Sequence, residues 1–199
     1  MLQLAREAAL AGLRVLVTVT TKMFPPDENE FGPAVFDVEN LGTRRLLVLA
    51  AALDEATHKL LGIDPNRLPG GFDLTLIEAD GAAGRPLTAP RRHEPVIPAS
   101  STTVLAVAGL DALGQPIAAM HRSEEIALLC GVPIEFEVTP EIVATVLSAP
   151  EGNTRGRPPS ARTLFVLNKA DDPARIAAGL QIAELLRAPA LLTSFGHVV

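Results

Sequence analysis

Two carboxylates, two residues apart at the end of an apolar run, form the sharpest chemical feature of this chain. In Leu76-Ile77-Glu78-Ala79-Asp80-Gly81, an extended backbone points Glu78 and Asp80 the same way. Acidic groups at such a strand end hold Mg²⁺ directly or through water, or orient an attacking water. An ordinary Asp-Gly turn would use the same letters. A second cluster, Thr20-Thr21-Lys22, follows the apolar run 15–19. Its hydroxyls can join a Mg²⁺ shell and Lys22 can meet a phosphate; the competing reading is a solvated turn. A third, Asn168-Lys169-Ala170-Asp171, follows 163–167. Asp171 can accept two hydrogen bonds from the guanine ring nitrogens, a fork that adenine cannot offer. Asn168 would tie neighbouring loops and the Lys169 stem would lie along the base. The rival is a polar strand-to-helix turn with Asp172 as its N-cap. Gly109-Leu110-Asp111 ends a fourth apolar run.

The only dense basic stretch carries Arg85, Arg91 and Arg92, beside His93 and Glu94. Guanidinium groups suit phosphates or carboxylates. His93 with Glu94 is too little for a zinc site, and His93 and His121 fit solvated or structural roles. No Gly-x-Ser-x-Gly elbow supports a serine hydrolase.

Elements must place these groups. Leu2, Leu4, Ala5, Ala8 and Ala9 form a helical stripe that stops at Ala11-Gly12. Apolar runs predict strands over 15–19, 31–38, 46–49, 72–78, 103–108, 162–167 and 190–193. Helices are predicted over 51–61, 123–130 (Ser123 as N-cap), 140–147 (Thr139 as N-cap, Pro140 first) and 172–186. Residues 81–101 carry no periodicity, and a stretch so long is commonly functional when ordered. Strands alternating with helices predict an α/β class chain. We expect a mainly parallel sheet with helices on both faces, in a single domain over 1–199. Open parallel sheets bind ligands beyond the carboxyl ends of their strands, where the polar clusters lie.

Composition sets bounds. Apolar residues are 48% and charged residues 20%, as in a globular chain, and the net charge of −6 disfavours a nucleic-acid partner. The single cysteine, Cys130, excludes an internal disulfide and reads as a buried apolar thiol. The longest apolar run is too short to span a bilayer, and Arg6, Glu7 and Arg14 interrupt any signal-like start. A cytoplasmic location is the expectation.

The glycine-rich turn ending in Gly-Lys-Ser/Thr, which cradles phosphates in P-loop proteins, is absent from the 199 residues. The chain starts inside what reads as the helix that should follow that turn. The run Val15-Leu16-Val17-Thr18-Val19-Thr20-Thr21-Lys22-Met23-Phe24-Pro25 resembles the YqeC family, accessory proteins of selenium-dependent molybdenum hydroxylases. So do Ile77-Glu78-Ala79-Asp80-Gly81-Ala82-Ala83-Gly84-Arg85-Pro86-Leu87, Ala89-Pro90 and His93-Glu94-Pro95-Val96-Ile97-Pro98. His121-Arg122 with Glu124, and Leu167 to Asp171, fit the same order.

The resemblance implies a P-loop NTPase-like fold, nucleotide binding, and a part in maturing a selenium-containing molybdenum cofactor. The chain departs from the family by lacking the phosphate loop and by having Thr88 where a lysine is expected. The implied activity is that of a GTP- or ATP-dependent factor. Glu78 and Asp80 would organise Mg²⁺ and water, and Thr20, Thr21 and Lys22 would support phosphates. Asn168, Lys169 and Asp171 would read the base; Arg85 and Arg122 would contact substrate or phosphate. The phosphate cradle is expected upstream of Met1, and the chain as written is expected to bind triphosphate weakly. Two other readings stay open. One is a non-enzymatic scaffold for a hydroxylase; the other is a nucleotidyl-transferring enzyme acting on the molybdenum cofactor.

Overall fold

A computed structural model describes residues 1–39 and 41–195. The chain is α/β and divides into two compact units, Met1–Gly81 with Val96–Pro98, and Ala82–Pro95 with the residues from Ala99 onward. Among the described residues no helix is long and apolar enough to cross a membrane.

The first unit begins with helix α1 (Leu2–Leu10), which turns Ala5 and Ala8 onto strands β1 (Val15–Val19) and β3 (Leu46–Leu49). All of β1 is buried, as expected of a parallel strand covered on both faces. It is the centre of a three-stranded parallel sheet, with β3 on one side and β6 (Leu74–Glu78) on the other. The registers Val17↔Val48 and Val19↔Glu78 bring the three carboxyl ends to one edge.

A small antiparallel sheet joins β2 (Lys22–Met23), β5 (Lys59–Leu61) and β4 (Ala52–Asp54). Here the expected helix over 51–61 gives way to a hairpin. Asp54 Oδ1 accepts from the amides of Ala56 and Thr57, and His58 takes a left-handed φ of 53°, so the chain reverses instead of winding on. The expected strand over 31–38 shrinks to one bridge, Val35 to Leu49, after the short helix α2 (Glu28–Phe31). Asp27 caps α2 by accepting from the Asn29 amide.

The second unit holds another three-stranded parallel sheet, ordered β7 (Thr103–Gly109), β8 (Arg162–Asn168), β9 (Ala190–Thr193). Helices α3 (Ser123–Cys130), α4 (Pro140–Ser148) and α5 (Pro173–Leu186) complete its core with Leu110, Ile117, Ile126, Leu147, Leu167 and Ile182. Thr139 and Asp172 cap α4 and α5, each followed by Pro in the first turn. The cap position of α3 falls on Arg122, not Ser123. Arg122 sits at φ 55° and makes no side-chain cap bond. Cys130 packs at the edge of this core and is half-buried where a buried apolar thiol was expected; burial raises its pKa.

Candidate functional site

In the first unit the ends of β1 and β6 are locked side by side. The Thr20 amide donates to the Glu78 carbonyl at 3.0 Å, and the Thr20 hydroxyl donates to the Val96 carbonyl at 2.7 Å. The Val96 amide in turn donates to the Ala79 carbonyl at 3.0 Å. On the other side, the Gly62 amide donates to the Thr21 carbonyl at 2.8 Å. The approach is so close that a Cβ on Gly62 would lie 2.4 Å from the Thr20 carbonyl carbon and 2.5 Å from its oxygen. The Thr21 hydroxyl is buried and has no hydrogen-bond partner among the described residues.

Glu78 is half-buried at this edge. Burial, and then the neighbouring Asp80 carboxylate, push its pKa up to about 7; the N-terminus and Lys59 pull weakly the other way. A carboxylate strained in this manner is what a divalent cation relieves. Mg²⁺ asks for one or two carboxylates, with water and phosphate completing its shell. Glu78 and Asp80 are two carboxylates of that type, side by side. Among the described residues no group of three or more His, Cys, Asp or Glu could hold a metal. Lys22 is placed otherwise. On the antiparallel sheet its ammonium lies 3.1 Å from Asp54 Oδ2. A hydrogen bond from the Thr57 hydroxyl, then Lys22, hold Asp54 down to about 2.

In the second unit the polar strand ends converge across all three strands. Gly109 and Asn168 are register partners, and so are Asn168 and Thr193. The Thr193 hydroxyl donates to Asn168 Oδ1 at 3.1 Å. The Ser194 hydroxyl donates to Asp171 Oδ1 at 2.5 Å, and Arg175 donates to Asp171 Oδ2 at 3.4 Å. Lys169 takes a left-handed φ of 63° and sends its ammonium to Asp111 Oδ2 at 2.6 Å. Asp111 follows β7 on a 3-10 turn, Leu110–Ala112. Its other oxygen, Oδ1, is buried without a hydrogen-bond partner among the described residues, over Gly109, where a Cβ would sit 2.4 Å away.

Magnitudes make the Lys169–Asp111 pair notable. A left-handed non-glycine residue costs about 1–2 kcal/mol, and a buried unpaired oxygen about 1–3 kcal/mol. A pair whose side chains are 46% and 25% exposed returns about 0–1 kcal/mol. The pair itself therefore offsets little of that cost.

The structure thus places Thr20, Thr21, Glu78 and Asp80 at one strand-end cluster and Asn168, Lys169 and Asp171 at another. Arg85 is exposed just beyond the first unit's last strand, in the segment 82–95. Arg122 is buried, its side chain 8% exposed, in an ion pair with Glu94 and 3.4 Å from the Ala89 carbonyl. Arg155 reinforces the same segment by donating to the carbonyls of Arg91 and Glu94. Sequence reasoning missed Thr193 and Ser194, and gave Asp111 no role. The signal lies in the sequence: the predicted strand 190–193 ends in the hydroxyl pair Thr193-Ser194.

The sequence profile of the YqeC family, described as YqeC protein, matches residues 1–124, more than half of the chain. The matched region includes Thr20, Thr21, Lys22, Glu78, Asp80, Arg85 and Arg122 and stops before Asn168. The Escherichia coli (strain K12) protein named "Uncharacterized protein YqeC" is 30% identical over 180 residues, covering 83% of this chain and 69% of the relative. No solved structure matches significantly. The family match spans the acidic strand end and the 82–95 segment, and on these matches the chain belongs to the YqeC family.

Proposed function

We propose that this YqeC-family chain binds a purine nucleotide, guanine in preference to adenine, as an accessory factor in maturing a selenium-dependent molybdenum hydroxylase in the cytoplasm. The observation that carries the base reading is Asp171, whose two oxygens are oriented by Ser194 and Arg175 at the carboxyl edge of a parallel sheet. A carboxylate so fixed keeps acceptor capacity for the two adjacent N–H groups of guanine. Adenine offers no such pair. Glu78 and Asp80 would hold Mg²⁺, which when bound supplies charge for a polyphosphate. Thr20 braces that edge, Thr21 offers a hydroxyl, and the exposed Arg85 offers a guanidinium to an anionic group. The hydroxylase role rests on the family resemblance, and GTP or ATP turnover is a further expectation of it.

The pairing of Lys22 with Asp54 favours a second reading, binding without turnover, in which the chain acts as a scaffold. Phosphate release from GTP with Mg²⁺ separates the two.

The base reading is tested by titrating GDP, XDP and ADP into the unaltered chain and into Asp171→Asn. The asparagine amide donates where the carboxylate accepted, and xanthine carries an oxygen where guanine carries its amino group. The unaltered chain is expected to prefer GDP, and the variant to prefer XDP by about tenfold or more, in line with the roughly 1.5–3 kcal/mol carried by charge-assisted hydrogen bonds. Equal binding of GDP and ADP, or a preference that Asp171→Asn leaves alone, would sink it.

A further inference from the structure

The Lys169–Asp111 pair is stabilised too little to offset what it costs, and the cost falls on two residues of different strands. Lys169 is left-handed directly after β8, and its side chain reaches Asp111 beyond the end of β7. Asp111 sets one oxygen over Gly109 with no hydrogen bond among the described residues and gives the other to the ammonium. The turn holding Asp111 is itself closed by Gln115, whose side-chain amide donates to the Asp111 carbonyl at 2.5 Å. Gly109 is required by this arrangement, since any larger residue would drive the carboxylate out of its place. With its charge anchored on Asp111, Lys169 has its apolar stem left to offer a ligand.

Resting on the base-reading role of 168–171, we propose that Asp111 is a positioning residue of that site. It grips the Lys169 ammonium and thereby holds the lysine stem as a platform for the flat face of a purine ring. A platform sees the ring face and not the ring edge. Asp111 therefore governs affinity for purines as a class, whereas Asp171 governs the choice among them. The division separates two functions within one cluster of strand ends.

The test is isothermal titration of GDP, XDP and ADP into the unaltered chain, Asp111→Asn, Lys169→Ala and the double variant, with the melting temperature of each ligand-free protein. Asp111→Asn should weaken GDP by about tenfold, within the range of coupling between contacting residues. It should weaken XDP and ADP by the same factor, leaving the preference intact. The ligand-free melting temperature should hold, because so exposed an ion pair contributes only about 0–1 kcal/mol to folding. The double variant should bind about as weakly as either single one, since both act through one contact. Unchanged GDP affinity in Asp111→Asn, a changed base preference, or losses that multiply in the double variant would overturn the proposal. If the unaltered chain binds no purine nucleotide, the base reading falls and this inference with it. If it binds GDP and Asp111→Asn binds equally well, only this inference falls.

Discussion

The two parallel sheets end in different kinds of polar edge. At the β1 and β6 ends the backbone does the fastening: Thr20, Thr21, Gly62, Glu78, Ala79 and Val96 are tied through carbonyls and amides. The Glu78 carboxylate there carries a charge that burial and Asp80 disfavour. At the β7, β8 and β9 ends the side chains do the fastening, Lys169 to Asp111, Thr193 to Asn168, and Ser194 with Arg175 to Asp171. The first edge suits a positive ion that would discharge it. On the second, Lys169, Arg175 and Ser194 already partner the carboxylates of Asp111 and Asp171. A preorganised edge gives specificity because little must be ordered on binding.

If this contrast holds, the largest single effect should come from crowding the backbone-tied edge. Gly62→Ala puts a Cβ against the Thr20 carbonyl, and backbone cannot swing aside. A loss of about 3 kcal/mol is expected, the upper end for overpacking. Gly109→Ala meets the Asp111 carboxylate, which can turn away, and the Pro86 ring at 2.9 Å, which yields less, so about 1–2 kcal/mol is expected. Urea denaturation midpoints of the two variants measure this directly. Equal losses would remove the distinction between the two edges.

The next effect is electrostatic. Glu78 has a folded pKa of about 7 against an ordinary value of 4.5. The folded state therefore binds more protons between those values, and stability falls as pH rises through that window. The penalty is fully present above pH 7 and absent below 4.5. Glu78→Gln removes it. The variant should gain on the order of 1–2 kcal/mol at pH 8, after allowance for solvent screening, and nothing at pH 4. Mg²⁺ should stabilise the unaltered chain at pH 8 more than the variant. A stability profile that Glu78→Gln leaves unchanged would show that the edge holds no disfavoured charge.

How much of this was legible follows from where the signals are local. The apolar runs of β1, β3, β6, β7, β8 and β9 announce buried parallel strands, and Thr139-Pro140 and Asp172-Pro173 announce helix starts. The hairpin over 52–61 was not legible. Ala51, Ala52, Leu53, Ala56, Leu60 and Leu61 fit a helical stripe, and the reversal depends on Asp54 bonding amides only once the chain has turned. The short reach of 31–38 has a similar cause, since Val35 finds a single partner in Leu49 and that pairing is set by the third dimension. At the sites, Glu78, Asp80 and Asn168 to Asp171 stand out by spacing. The grip of Asp111 on Lys169 spans 58 positions, and that of Thr193 on Asn168 spans 25. The partners of Lys22 and Arg122 were invisible for the same reason, because Asp54 and Glu94 become neighbours through sheet pairing and loop packing.

The smallest effect decides whether 168–172 is a site or only a turn. Asp171 and Asp172 are adjacent carboxylates that share the Arg175 guanidinium and differ in their other partners. Asp172 accepts from the Arg175 amide and caps α5, as a strand-to-helix turn requires. Asp171 is drawn instead to Ser194 beyond β9, which capping does not require. Asp172→Ala should cost about 1 kcal/mol of stability, the usual value of an N-cap, and leave the preference for GDP over ADP intact. Asp171→Asn should do the opposite, moving the preference with little change in the denaturation midpoint. If both substitutions only destabilise, by similar amounts, the four residues are a turn. The second edge would then owe its ion pairs and hydrogen bonds to helix capping alone, and the contrast with the first edge would reduce to one between a strained strand end and an ordinary helix start.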